Sequence, residues 1–127
     1  MSTPNMSVVK EPSAIQPGAS RPVAQFDVYK NSNPATARTY PFVVDLQSAA
    51  AQVLPTRLVA PLMRLAKLPF KRVTRIMPVV AVRGQDHVVL MPELAGIDRG
   101  LLKKRVDSLT THRDDLVAAL DFLFTGV

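Results

Sequence analysis

Met77-Pro78-Val79-Val80-Ala81-Val82-Arg83-Gly84-Gln85-Asp86-His87-Val88-Val89-Leu90-Met91 is the stretch on which the fold turns. Met77 to Val82 and His87 to Met91 are apolar and largely β-branched. Arg83-Gly84-Gln85-Asp86 supplies a tight connection between them, so the pattern predicts an antiparallel hairpin. Towards the N-terminus, residues 63 to 75 are basic and amphipathic, and Pro69 limits any helix there to a turn or two. Arg57 to Leu62 reads as another strand, in which Pro61 implies an edge position or a bulge because proline offers the ladder no donor. Tyr40 to Gln47 reads as a strand with Phe42, Val44 and Leu46 on one face. From Gln25 onward, Phe26 and Val28 alternate with Asp27 and Tyr29, and Asn31-Ser32-Asn33-Pro34 is a strong turn cluster.

On the C-terminal side, Glu93-Leu94-Ala95-Gly96-Ile97 reads as a turn of helix or loop. Leu101 to Leu109 reads as a charged last strand, with Leu102, Lys104, Val106 and Ser108 on one side. An amphipathic helix follows, opening at Thr111-His112-Arg113-Asp114-Asp115-Leu116, where Thr111 and Asp114 have the form of a capping box. At about 100° per residue, Leu116, Val117, Ala119, Leu120, Leu123 and Phe124 fall on one apolar arc. Asp114, Asp115, Ala118, Asp121, Phe122 and Thr125 point away from it. An outward Phe122, and an end reading Phe122-Leu123-Phe124-Thr125-Gly126-Val127 with no polar tail, leave two readings open: a single tolerated surface aromatic, or an outer face and tip expected to form a protein-binding surface. The order of elements is therefore α+β: a small antiparallel β-sheet, or partly open barrel, followed by one C-terminal α-helix.

The 127 residues hold one domain. Residues 1 to 22 scatter Pro4, Pro12, Pro17, Gly18 and Pro22 among small polar residues. They are expected to form a disordered N-terminal extension, because they carry too little apolar surface to offset the entropy of ordering. The compact domain is expected to span residues 23 to 127. Cysteine is absent, which excludes disulfides and thiolate metal sites and fits a cytoplasmic protein. No apolar run approaches the roughly 18 residues of a membrane span, and the N-terminus has no secretory pattern. The net charge of +6 fits an acidic peptide, a nucleic acid or, most commonly for a modest basic excess, a generically solubilising surface. Its cations lie in two stretches, Arg57, Arg64, Lys67, Lys71, Arg72 and Arg75, then Arg99, Lys103, Lys104 and Arg105. Aromatic residues are not interleaved with them, so direct, specific nucleic-acid binding is not expected.

Signals of chemistry are sparse. His87 heads a hairpin strand and His112 lies in the first turn of the helix, too few ligands for a metal site, and no cofactor is implied. Asp114 and Asp115 complement the positive end of the helix. No phosphate loop, nucleotide fingerprint or serine nucleophile motif occurs, and neither Ser48 nor Ser108 has an adjacent base. One catalytic alternative remains open: His87 or His112, with an Arg and an Asp, could cleave RNA at the 2′-hydroxyl.

From Gln25 to Val127 the chain resembles the CcdB family, the toxin half of a toxin–antitoxin module. The matching stretches are Gln25-Phe26-Asp27-Val28-Tyr29, Phe42-Val43-Val44-Asp45-Leu46-Gln47-Ser48, Arg57-Leu58-Val59-Ala60-Pro61-Leu62, Pro78-Val79-Val80 and Leu123-Phe124-Thr125-Gly126-Val127. The resemblance implies a homodimer of small, partly open SH3-like barrels with a C-terminal helix. It also implies a non-enzymatic toxin that binds the A subunit of DNA gyrase and traps the cleaved DNA complex. A CcdA-like antitoxin, a small dimeric DNA-binding protein with a disordered acidic tail, neutralises such toxins. Carried over by motif, the gyrase-binding residues are Ala50, Ala51, Asp121, Phe124, Thr125, Gly126 and Val127. The sequence departs from the family pattern at several of these. Thr125 stands where the family has a tryptophan that packs on an arginine of gyrase, Asp121 replaces an asparagine, and Ala50 and Ala51 replace isoleucines. An endoribonuclease on the same fold and a homologue that only binds antitoxin are the alternative readings.

Overall fold

The longest strand, Thr56–Arg64 (β3), organises the sheet in this computed structural model, which describes residues 24–126. Val127 and the expected N-terminal extension lie outside the described residues. On one side β3 pairs antiparallel with Phe42–Asp45 (β2), which in turn pairs with Asp27–Lys30 (β1). On the other side its two halves take different partners. Thr56 to Val59 pair with Ala95–Asp98 (β6), and Leu62 to Arg64 pair with Gln85–Val89 (β5). Val79–Val82 (β4) and Arg105–Ser108 (β7) close the two ends of the path β4-β5-β3-β2-β1-β7.

Pro61 corrects the sequence expectation of an edge or a bulge, because β3 is central. The proline sits at the gap where β6 pairing ends and β5 pairing begins. Its carbonyl accepts from Leu90 N–H on that same side at 2.9 Å, so its nitrogen faces the gap and costs the β2 ladder nothing. The strand β6 is a second correction. Its Ala95-Gly96-Ile97 core has no β-branched run, and pairing with β3, not local propensity, makes it a strand.

The hairpin forms as expected, with a shorter connection. Val82 pairs with Gln85, and Arg83 (φ 50°) and Gly84 (φ 79°) make a two-residue turn with both φ angles positive, the form that matches strand twist. Its tip curls back on β7: Arg83 N–H donates to Asp107 Oδ2 at 2.8 Å and Arg83 Nε to the Val106 carbonyl at 3.4 Å. The sheet thereby becomes a half-barrel. Pairing between β1 and β7 skips a residue at Val106, a bulge that breaks the alternation expected from Leu101 to Leu109. Val106 packs against the inner core, whereas Leu102 packs on the outer face with Tyr29, Val43 and Val59.

The helix Arg113–Thr125 (α1) covers the inner face. Phe26, Val28, Val44, Ala60, Leu62 and Val89 from the sheet meet Leu116 and Ala119, with Val117, Leu120 and Leu123 beside them. The capping box does not form. A 3₁₀ turn over Thr110–His112 leads into α1, His112 holds the cap position without a side-chain bond, and Asp114 and Asp115 fill the first turn. Both faces of β1 and β2 are buried, since Asp27, Tyr29 and Asp45 are as enclosed as the inner residues they alternate with.

Candidate protein-binding tip and loop

The core ends at Leu123, and the last turn of α1 projects past it. Phe124 is 68 % exposed, which overturns its expected place on the buried arc: periodicity put it on the right face, but no sheet lies beneath it. Asp121, Thr125 and Gly126 are exposed beside it. Thr125 Oγ1 donates to the Asp121 carbonyl one turn back at 2.7 Å. Gly126 ends the helix in the left-handed region (φ 74°), and its N–H closes on the Phe122 carbonyl at 2.8 Å. Phe122 is not bare as expected. It is half-buried under the Arg75 guanidinium, 4.3 Å above the ring centroid.

Ala50 and Ala51 sit in a separate element, a 3₁₀ turn over Ala49–Ala51 after β2. Ala50 is exposed and Ala51 half-buried. Arg57 holds this loop from below. Its Nε and Nη2 lie 3.0 and 2.9 Å from Asp45 Oδ2, while Nη2 donates to the Gln47 carbonyl at 3.0 Å and Nη1 to the Ala51 carbonyl at 3.5 Å. Asp45 Oδ1 accepts Gln47 N–H at 2.9 Å, and Gln47 Oε1 accepts Leu58 N–H at 3.0 Å. Arg57, read from sequence as part of a basic surface, is instead fully buried. Burial pushes the Asp45 carboxyl above its ordinary range, with the Gln47 N–H and Arg57 opposing. Tyr29 on the same face is also pushed up, first by burial and then by Asp27 and Asp45. A second arginine, Arg99, bonds the Gln52 carbonyl and side chain from the far side of the loop.

Between these anchors the loop exposes two apolar residues that motif matching passed over, Val53 at 89 % and Leu54 at 46 %. An adjacent apolar pair between Gln52 and Pro55 was the available signal.

His87 lies in the core at 1 % exposure, its ring edge-on to Phe42 with centroids 5.4 Å apart and Nδ1 against the Gln85 carbonyl at 2.9 Å. His112 is half-buried at the start of α1. Among the described residues, no group of three or more His, Asp or Glu is placed to hold a metal ion.

A curled antiparallel half-barrel with one C-terminal helix defines the class, the α+β fold of the CcdB type. The chain belongs to the CcdB family, whose model, described as CcdB protein, matches residues 25–126. It is thus a toxin of the toxin–antitoxin kind, and partners of the family are in general an antitoxin and DNA gyrase. A comparison with curated proteins gives no match. Among the described residues, no helix is long and apolar enough to cross a membrane.

Proposed function

We propose that this toxin binds the A subunit of DNA gyrase with the last turn of α1 and traps the cleaved DNA complex, and that a CcdA-like antitoxin relieves it. In this reading the protein is a cytoplasmic homodimer that presents the same tip to both halves of a two-fold target. It transforms no substrate and needs no cofactor. The observation that carries the reading is the projecting tip: Phe124 two-thirds exposed beside Thr125 and Gly126, beyond the last core residue. A large aromatic left in water at the end of a well-packed helix fits an anchor for a partner's pocket. The loop anchored by Arg57 and Arg99, with Val53 and Leu54 exposed, offers apolar contact that Ala50 and Ala51 are too small to give.

The ribonuclease alternative needs a histidine within reach of a 2′-hydroxyl. His87, enclosed in the core, lacks that access, which leaves His112, half-buried at the start of α1, as the one histidine on which this alternative rests. Expression without antitoxin tests the main reading. Full-length protein should arrest growth, and deletion of Gly126 and Val127 should abolish arrest while leaving the fold intact by circular dichroism. Undiminished arrest by the truncated chain would overturn the reading. Harmless expression of the full-length, folded protein would favour the homologue that only binds antitoxin.

A further inference from the structure

A helix end held by one contact can swing about it, whereas two contacts roughly 100° apart around the axis, the step between successive residues, fix its direction. At the end of α1 the first contact is Leu123, the last residue packed against the core. The second lies one residue earlier and on the outer side. Phe122 is half-buried under the Arg75 guanidinium, 4.3 Å above its ring centroid.

Arg75 reaches the helix from a fixed base. Its neighbours Ile76 and Met77 pack with Met63, Val88 and Leu90 on the sheet, and Arg72 Nη1 pins the turn to the Met77 carbonyl at 2.9 Å. Further back along α1 the same segment stands off. Asp115 and Ala118, which share a stripe with Phe122 at i, i+3 and i+7, face Arg72, Thr74 and Val79 across a cleft of about 330 Å³. Phe122 is also where the chain end is tied, because its carbonyl accepts the Gly126 N–H at 2.8 Å. Displacing the ring therefore moves the peptide group that carries the cap.

We infer that Arg75 is a positioning residue for the binding tip: by holding the Phe122 ring it fixes the direction in which Phe124, Thr125 and Gly126 project. A guanidinium suits this task, since it can lie against an aromatic face while its N–H groups stay in water. The inference rests on the proposed function for the identity of the partner. The ordering of the tip by Arg75 does not depend on it, so the two can fail separately.

The test pairs ¹⁵N relaxation of the full-length protein with calorimetric titration against the gyrase A fragment, for Arg75→Ala, Arg75→Lys, Phe122→Leu and the Arg75→Ala/Phe122→Leu double variant. Arg75→Ala and Phe122→Leu should each lower the order parameters of the Thr125 and Gly126 amides and leave those of Leu116 to Leu120 unchanged. Unchanged order at Gly126 in Arg75→Ala would overturn the inference whatever the partner proves to be. Each of these two single variants should bind the fragment about fivefold more weakly, the scale of one such contact, and Arg75→Lys should lose less. The double variant should lose no more than either single, because both break the same contact. Additive losses would mean that Arg75 touches the partner directly, and would overturn the positioning role. Full affinity in Arg75→Ala, beside lost affinity in the chain lacking Gly126 and Val127, would sink the inference and leave the tip reading standing. Absence of binding by wild type would sink the tip reading, and the order parameters would still decide the role of Arg75.

Discussion

At the scale of single residues, two side chains carry most of what can be tested. Thr125 is exposed, its hydroxyl proton is given to the Asp121 carbonyl, and it has no large apolar surface to offer a partner's pocket. Thr125→Trp gives up that local bond and places an indole beside Phe124. Because a buried aromatic at an interface centre is worth on the order of 1–3 kcal/mol, calorimetric titration against the gyrase A fragment should show roughly tenfold tighter binding or more. Unchanged or weaker binding would refute the assignment of this position to the contact. The second side chain is Arg57, whose pair with Asp45 is wholly buried at 2.9 Å. Breaking such a pair costs about 3–5 kcal/mol, but the two halves should fail differently. Asp45 already has a raised pKa in the fold, so this group stabilises most below its unfolded value, and that contribution fades as pH climbs through the folded value. Without the guanidinium the folded value rises further, and Asp45 can take up a proton. The stability deficit of Arg57→Leu should therefore shrink between pH 7 and pH 5 in urea melts. That of Asp45→Ala should not shrink, since a guanidinium cannot shed its charge. Parallel pH dependence of the two deficits would contradict this account of the network.

At the scale of elements, the sequence was most legible where the local residue pattern alone decides. Strands β1 and β2 announced themselves by alternation, β4 and β5 by apolar, β-branched runs about a tight turn, and α1 by its arc through Leu116, Ala119 and Leu123. It was least legible where a partner element decides. Ala95-Gly96-Ile97 becomes a strand only because β3 is long enough to pair twice on one side. Phe124 sits on the apolar arc and yet meets water, because helix periodicity carries no information about where the sheet ends. Arg57 could not be recognised as buried, since the carboxylate that neutralises it comes from another strand. The loop between β2 and β3 illustrates the consequence for the site. Motif matching pointed to Ala50 and Ala51, but the exposed apolar surface of that loop is at Val53 and Leu54. Val53→Ser with Leu54→Ser should leave the melting temperature within a few degrees, as expected of exposed positions. It should weaken binding to the gyrase A fragment by about tenfold. Full retention of affinity would remove the loop from the contact surface.

At the scale of the whole molecule, the charge of +6 separates into functionally different parts. Arg57 and Arg105 neutralise Asp45 and Asp27 within the sheet, Arg99 and Arg72 hold loops, and the remaining described cations are exposed, most densely along residues 64–75. The half-barrel thus serves as a rigid mount: it fixes α1 along one face and lets its last turn extend beyond the core. The central claim is that this turn acts by physical insertion into another protein. Gyrase cleavage in vitro tests it most directly, with purified gyrase, supercoiled DNA and ATP, and the linear DNA released by detergent and protease as the readout. Full-length protein should cause cleaved DNA to accumulate in proportion to its concentration, and the chain lacking Gly126 and Val127 should give only background. Equal accumulation with both proteins would contradict the claim.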